Sequence, residues 1–270
     1  MTFSLNHMVA PRLAHGAFFD LANALGVAAV EIRNDLNGVA LADGTSAADV
    51  GAAAKARGLN VLSINALQRF NLWDDARAAE AEAMIDQCVA SGAEALVLCP
   101  VNDVNYKPSA TERRAGLVKA LNGLKPLLEK AGVRGLVEPL GFAECSLRFK
   151  GEAIEAIDAV GGAATFRVVH DTFHHFVAGE TKIFPERTGL VHISGVADPG
   201  ADAGIMRDPH RVLVGADDRI GNIAQMRALR AGGYGGPLSF EPFAASVHAS
   251  ANIEADLRAS IVFVKAGLGA

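Results

Sequence analysis

Val137-Glu138-Pro139-Leu140-Gly141 follows a short run, Val133 to Val137, that reads as a strand. The run ends on a carboxylate, and the proline after it cannot continue a ladder. The same pattern is written three more times. Phe166-Arg167-Val168-Val169-His170 runs into Asp171, with His174 three residues on. Leu190-Val191 runs into His192. Pro237-Leu238-Ser239-Phe240 runs into Glu241, and Pro242 follows. Four strand-like runs thus end on residues able to hold a metal or move a proton. As parallel neighbours, they would bring those four side chains together at one end of one sheet.

Outward from this stretch, strand and helix patterns alternate strictly. Phe3-Ser4-Leu5 is a first strand, and Pro11 to Leu25 has helical spacing up to Gly26, a plausible C-cap. Strand 27–32 precedes helix 46–57, and strand 60–64 precedes helix 74–91, capped by Asp74 or Asp75. Strand 95–99 ends at Pro100. Helix 109–131 follows it, with a kink or restart expected at Pro126. Helix 151–160 follows the opening stretch. Only a short helix around Phe184 to Thr188 is expected between the sixth and seventh strands. Helices 220–231 and 251–266 flank the eighth strand. Eight such units predict parallel strands with crossover helices, closed as an α/β (β/α)8 TIM barrel. An open doubly wound sheet is the alternative. No Gly-rich turn follows an early strand, so no nicotinamide cofactor is expected. Residues 1–270 read as a single domain, without linker or low-complexity stretch.

Half the residues are hydrophobic and a fifth are charged, enough for a large core. A net charge of −5 without a basic stripe argues against a nucleic-acid partner. Cys88, Cys99 and Cys145 lack metal spacing and read as buried, reduced thiols of a cytoplasmic protein. The start lacks the features of a signal peptide, and no apolar run is long enough to span a membrane. The oligomeric state is left open, a homo-oligomer included.

Any one strand-end carboxylate is ordinarily a helix cap or a surface charge. Four in succession, Glu138, Asp171, His192 and Glu241, are a ligand set of three carboxylates and one imidazole. That set suits one divalent ion, Mn²⁺, Mg²⁺, Co²⁺ or Zn²⁺, with positions left open for catalysis. His174 is placed to reach a bound hydroxyl. His170, by alternation, points away from the barrel axis. Asn6 and Asn65 end strands and would bond a polyol or cap a helix. His7 is a weak candidate, and His15, His210 and His248 read as surface residues. Phe70, Leu72 and Trp73 would either form a lid or simply pack.

At these residues the chain resembles the xylose-isomerase-like barrel superfamily of sugar isomerases and epimerases. Within it the likeness is greatest to inosose (2-keto-myo-inositol) isomerases. It is carried by Glu31-Ile32-Arg33, Asn65-Ala66-Leu67 with Phe70-Asn71, Glu138 with Gly141 and Cys145, Asp171-Thr172-Phe173-His174, Val191-His192-Ile193, Asp208 to Arg211 before Gly215, and Ser239-Phe240-Glu241. The resemblance implies isomerisation of a small cyclic keto-polyol by α-proton abstraction through an enediolate. Glu138 and Glu241 would serve as acid and base, and His174 and Arg211 would hold substrate. Two departures leave the sugar open. Val214-Gly215-Ala216-Asp217 replaces the usual Pro-Gly-x-Gly turn, and the loop from Asp198 to His210 differs. Glu144 falls where ketose epimerases bind substrate, so a ketose 3-epimerase stays open, as does an inosose dehydratase. A nuclease on this fold needs further histidines where this chain has Arg33, Asn65 and Pro100.

Overall fold

Along each strand, branched apolar residues face the helices and alternate with smaller or polar ones that face inward. Leu5, Val30, Ile32, Leu96, Leu98, Val137, Val168 and Val191 join the helices in the main core. Ala95, Val97, Cys99, Leu136, Val169 and Leu190 form a separate cluster. The computed structural model describes residues 2–36, 41 and 44–269. In chain order the elements are β1 (Phe3–Asn6), α1 (His15–Ala24), β2 (Ala29–Arg33), α2 (Ala47–Ala56), β3 (Asn60–Gln68), α3 (Asp75–Ser91), β4 (Ala95–Cys99), α4 (Ala110–Ala131), β5 (Arg134–Val137), α5 (Lys150–Ala159), β6 (Phe166–Asp171), α6 (Thr172–Ala178), β7 (Thr188–Ile193), α7 (Asn222–Ala231), β8 (Leu238–Phe240), α8 (Ala245–His248) and α9 (Ile253–Leu268). The eight strands are parallel and close in sequence order, β8 pairing with β1. This is the expected TIM barrel, and the open sheet is excluded.

Local chemistry sets the helix ends. Ser46 and Asp74 cap α2 and α3 through side-chain oxygens. Ser109 and Glu112 form a reciprocal capping box on α4. Pro126 sits inside α4, and no restart occurs. β3 runs four residues beyond the expected end at Ile64, its register with β4 shifting between Ile64 and Leu67. The expected helix near Phe184 is a single 3-10 turn, Pro185–Arg187. The helical residues of that connection lie earlier, in α6, capped by the carboxylate of Asp171. Phe70 is fully buried, and the Trp73 ring fills the space over Gly123 that a side chain there would take. Those aromatics pack and form no lid.

Behind β6 lies a buried polar network. Lys150 Nζ is 2.5 Å from Glu180 Oε2 and 2.9 Å from His175 Nδ1. Glu180 also accepts from the backbone N–H groups of Lys150 and Gly151, tying the start of α5 to the chain just after α6. The His175 ring lies against His170, whose Nε2 meets Gln225 of α7 at 2.9 Å. His170 thus faces the helix layer, as its alternation with Asp171 requires. Burial opposes ionisation of Glu180, but His175 and Lys150 outweigh it and bring the carboxyl from 4.5 to about 2. A folded-state value below the unfolded one stabilises above the unfolded value, and the gain is lost as pH falls through the folded one.

Glu180→Gln leaves the Lys150 ammonium buried without its counter-charge. The variant should lose about 3 kcal/mol of stability at pH 7 in urea denaturation. Its deficit against the wild type should shrink as pH falls from 4.5 toward 2. A pH-independent deficit would mean that the ionised pair is not what the substitution removes.

Candidate metal and active site

The ends of strands β5 to β8 carry the site. Glu138 stands one residue past β5, Asp171 ends β6, His192 lies in β7 and Glu241 stands one residue past β8. One ligating atom from each lies within 4.8 Å of the others. All four side chains are buried. His192 turns Nδ1 toward its partners, 2.9 Å from Glu138 Oε1, 3.2 Å from Glu241 Oε2 and 4.0 Å from Asp171 Oδ2. Its Nε2 points the other way, 3.2 Å from Oε2 of Glu31.

Two buried guanidiniums brace this cluster. Arg211 Nη2 reaches Asp171 Oδ2 at 2.5 Å and Glu241 Oε2 at 2.9 Å, and its Nε donates to Ser194. Arg33 Nη1 donates to Glu241 Oε1 at 2.8 Å, while its Nε and Nη2 hold Asp35. Asn6 donates to Glu241 Oε1 and accepts from Arg33. Burial opposes the charge on Glu241, yet His192, Arg211 and Arg33 hold its carboxyl far below the ordinary range. Asp171 is lowered likewise, chiefly by Arg211 against the cost of burial. Burial would also discharge His192, but the carboxylates of Glu241, Glu31 and Glu138 raise it well above 6.5.

The donor set fits a divalent cation. Among the described residues, four buried carboxylates (Glu31, Glu138, Asp171 and Glu241) face two buried guanidiniums (Arg33 and Arg211). Asp35 and Asp208, which also touch those arginines, stand at the partly exposed rim, where water carries much of their charge. Once an ion displaces the proton that these carboxylates hold on His192, two negative charges remain at the centre, the complement of one divalent ion. Three carboxylate oxygens and one nitrogen suit Mn²⁺, Zn²⁺ and similar ions.

A polar cavity of about 350 Å³ opens beside the cluster. Glu138 and Glu241 line it, and Asp171 and His192 stand outside its lining. His174, Arg211 and Asn65 line it as well. His174 Nδ1 is buried without a hydrogen-bond partner, and the Phe142 ring packs edge-on against its imidazole. Gly141 lets this wall close, because a methyl there would overlap the His174 carbonyl oxygen. Gln68, Arg69 and Asn102 complete the wall on the β3–β4 side. Arg69 adopts φ 54°, a left-handed conformation uncommon outside glycine, and its nearest carboxylate is Asp103 at 4.0 Å.

Two residues expected at the substrate are placed otherwise. Asn6 is wholly buried behind Glu241 and is not part of the cavity wall. Glu144 also lies outside the wall and faces Arg207 at 3.6 Å. His15, expected at the surface, is buried against His7 and Phe19. His7 stacks on Phe18 and bonds the Leu13 carbonyl, away from the cavity. Glu31 was not anticipated as part of the site. Period two puts it on one face of its strand with Arg33, and that shared face was the available signal.

The comparisons with known proteins agree with this geometry. The model of the xylose isomerase-like TIM barrel family matches residues 19–266. A xylose isomerase domain protein from Salmonella typhimurium LT2 superposes with a TM-score of 0.89 at 32% identity, over 99% of this chain and 97% of that one. The IolI protein, solved with a bound zinc atom, gives 0.87 at 22% identity over 100% and 98%. D-psicose 3-epimerase from Clostridium cellulolyticum H10 gives 0.76 at 15% identity over 99% of each chain. No curated protein sequence matches significantly. With nearly its whole length matched, the chain belongs to the xylose isomerase-like TIM barrel family.

Proposed function

We propose that this enzyme is a divalent-metal-dependent isomerase of a small cyclic keto-polyol, an inosose such as 2-keto-myo-inositol. One observation carries the reading. Glu138 and Glu241 belong both to the ion-holding cluster and to the cavity wall. Two carboxylates so shared are suited to moving a proton between adjacent carbons of a bound ketone. Three buried free thiols support a reducing, cytoplasmic setting for a single catalytic domain.

Glu138, Asp171, His192 and Glu241 would hold the ion. When bound, it supplies the Lewis acidity that makes a proton beside a ketone removable. The remaining work falls to the side chains. Glu241 is held by Arg33, Arg211 and Asn6, whereas Glu138 meets His192 and, at 3.6 Å, the thiol of Cys99. No guanidinium is bonded to Glu138 among the described residues. Glu138 is therefore the less committed carboxylate, and it takes the first proton. Glu241 starts ionised, so it takes the proton of the neighbouring hydroxyl and delivers it to the adjacent carbon, while Glu138 passes its own proton to the former ketone oxygen. His174, which lines the cavity, holds a substrate hydroxyl, and Phe142 fixes its ring.

The charges of the wall favour a neutral substrate over a phosphorylated one. Arg33 and Arg211 are already bonded to carboxylates, which leaves Arg69 as the loosely paired cation of the wall. A phosphate ester ordinarily draws two or more committed donors. A ketose 3-epimerase would use the same pair of glutamates, and the structural likeness to D-psicose 3-epimerase motivates testing it.

Chelation should abolish activity, and Mn²⁺, Mg²⁺, Co²⁺ or Zn²⁺ should restore it. The ion should also raise the melting temperature, adding about 2.7 kcal/mol at a hundredfold excess over Kd. Full turnover by protein shown metal-free by elemental analysis would refute the metal requirement. Proton NMR in D₂O with 2-keto-myo-inositol and a panel of ketohexoses should show exchange next to the ketone of the inosose. Exchange and product from the hexoses alone would replace the inosose reading with the epimerase, and loss of water would identify a dehydratase.

Glu138→Gln, compared at saturating metal, should lose α-proton exchange by at least ~10²-fold. Glu241→Gln should keep part of the exchange while product formation stops. Near-normal turnover by both metal-loaded variants would remove both glutamates from proton transfer and bring His174 forward.

A further inference from the structure

We propose that Glu31 is the positioning residue of the metal centre, fixing which nitrogen of His192 meets the ion. This rests on the metal reading above. A neutral imidazole carries one N–H and one bare nitrogen, and only the bare nitrogen can ligate. In this structure Nδ1 faces Glu138, Asp171 and Glu241, and Nε2 faces Glu31 at 3.2 Å. An ionised carboxylate only accepts hydrogen bonds. Opposite Nε2 it requires the proton there and leaves the Nδ1 lone pair free for the cluster.

The surroundings of Glu31 are built to keep it in that role. Its Oε2 also accepts from Ser63 Oγ at 2.6 Å and from Asn65 Nδ2 at 2.9 Å. Its Oε1 accepts from the Ser239 hydroxyl. Donors from β3, β7 and β8 thus hold both oxygens of a side chain rooted in β2, so the carboxylate cannot swing off His192 without breaking several bonds. His192 is its one ion-pair partner among the described residues. A carboxylate needed only to tie strands together would be as well served by an amide, which both donates and accepts. Ser63, Asn65 and Ser239 all donate to Glu31, which is the acceptor in each bond.

The test uses the full chain and Mn²⁺ as probe. Glu31→Gln keeps the size of the side chain but can present an N–H to Nε2 and drive the imidazole proton onto Nδ1. Calorimetry should show its Mn²⁺ Kd weakened about 10- to 100-fold relative to wild type, the range expected for a lost outer-shell partner. Ser239→Ala, which removes one of several donors to Glu31 and leaves the bond to His192, should weaken Mn²⁺ binding less than Glu31→Gln does. A Glu31→Gln variant that melts lower without metal but binds Mn²⁺ with wild-type affinity would overturn the proposal and make Glu31 a structural brace.

A second measurement needs no variant at Glu31 and stands if that variant does not fold. In Zn²⁺-loaded wild-type protein labelled with ¹⁵N-histidine, His192 should carry its proton on Nε2, with Nδ1 shifted by the metal. A proton on Nδ1 would overturn the proposal. Failure of the underlying metal reading looks different. In that case Mn²⁺ binding in the wild type is absent, or it survives His192→Ala undiminished, and the role of Glu31 falls with it.

Discussion

Four buried carboxylates at one end of a barrel are the constraint to which the rest of the site answers. An isolated buried carboxylate is strongly disfavoured, and neighbours of like sign make it worse. Arg33 and Arg211 enter from β2 and from the loop after β7, and each bonds Glu241. Cation–aromatic contacts hold both guanidiniums in place, with Phe243 4.5 Å from Arg211 and 5.5 Å from Arg33. The arginines cover part of the charge, and a divalent ion beside His192 would cover the rest. Removing any one of these groups would leave a charge stranded in a place water does not reach.

How much of this was legible in sequence follows from the geometry of a parallel barrel. Strands that end together bring their last residues together, so Glu138, Asp171, His192 and Glu241 could be read from four strand ends alone. Asn6 also ends a strand, but it reaches Glu241 before it reaches the cavity. Its role depends on a neighbour 235 residues away, and no local pattern encodes that. Glu144 lies in a loop, and the side chain it meets, Arg207, comes from a second loop. Loop-to-loop distances are set by tertiary packing. The extension of β3 to Gln68 was missed for a related reason: Asn65 read as a stop, whereas its side chain is paid for inward by Glu31 and Ser63, so the strand continues.

The two halves of the barrel interior divide the work. On the β4–β7 side the inward positions are apolar, with Ala95, Val97, Leu136, Val169 and Leu190 packed together. That half is an ordinary TIM-barrel core. On the β8–β3 side they are polar, with Ser4, Asn6, Glu31, Ser63, Asn65 and Ser239 all buried. Small hydroxyl residues pack less apolar surface than the valine or leucine common in such layers. The lost burial, about 1.5–3 kcal/mol for each large aliphatic side chain, is the stability this half forgoes.

A reason for that sacrifice lies in the direction of the donors. An apolar layer under the site could support the strand ends but could not orient an imidazole. Ser63, Asn65 and Ser239 all donate toward Glu31, and Glu31 in turn faces the nitrogen of His192 that lies away from the cluster. Orientation is thereby handed from the middle of three strands to an imidazole at the top of a fourth. The strands are hydrogen-bonded into a closed barrel, so the reference frame for His192 is the barrel itself and not a loop. The same cannot be said of the cavity wall formed by Arg69, Asn102 and Phe142, which stands on loops. Rigid support under the chemistry and loop-borne groups around the substrate is the arrangement by which one barrel keeps a reaction while its substrate range changes.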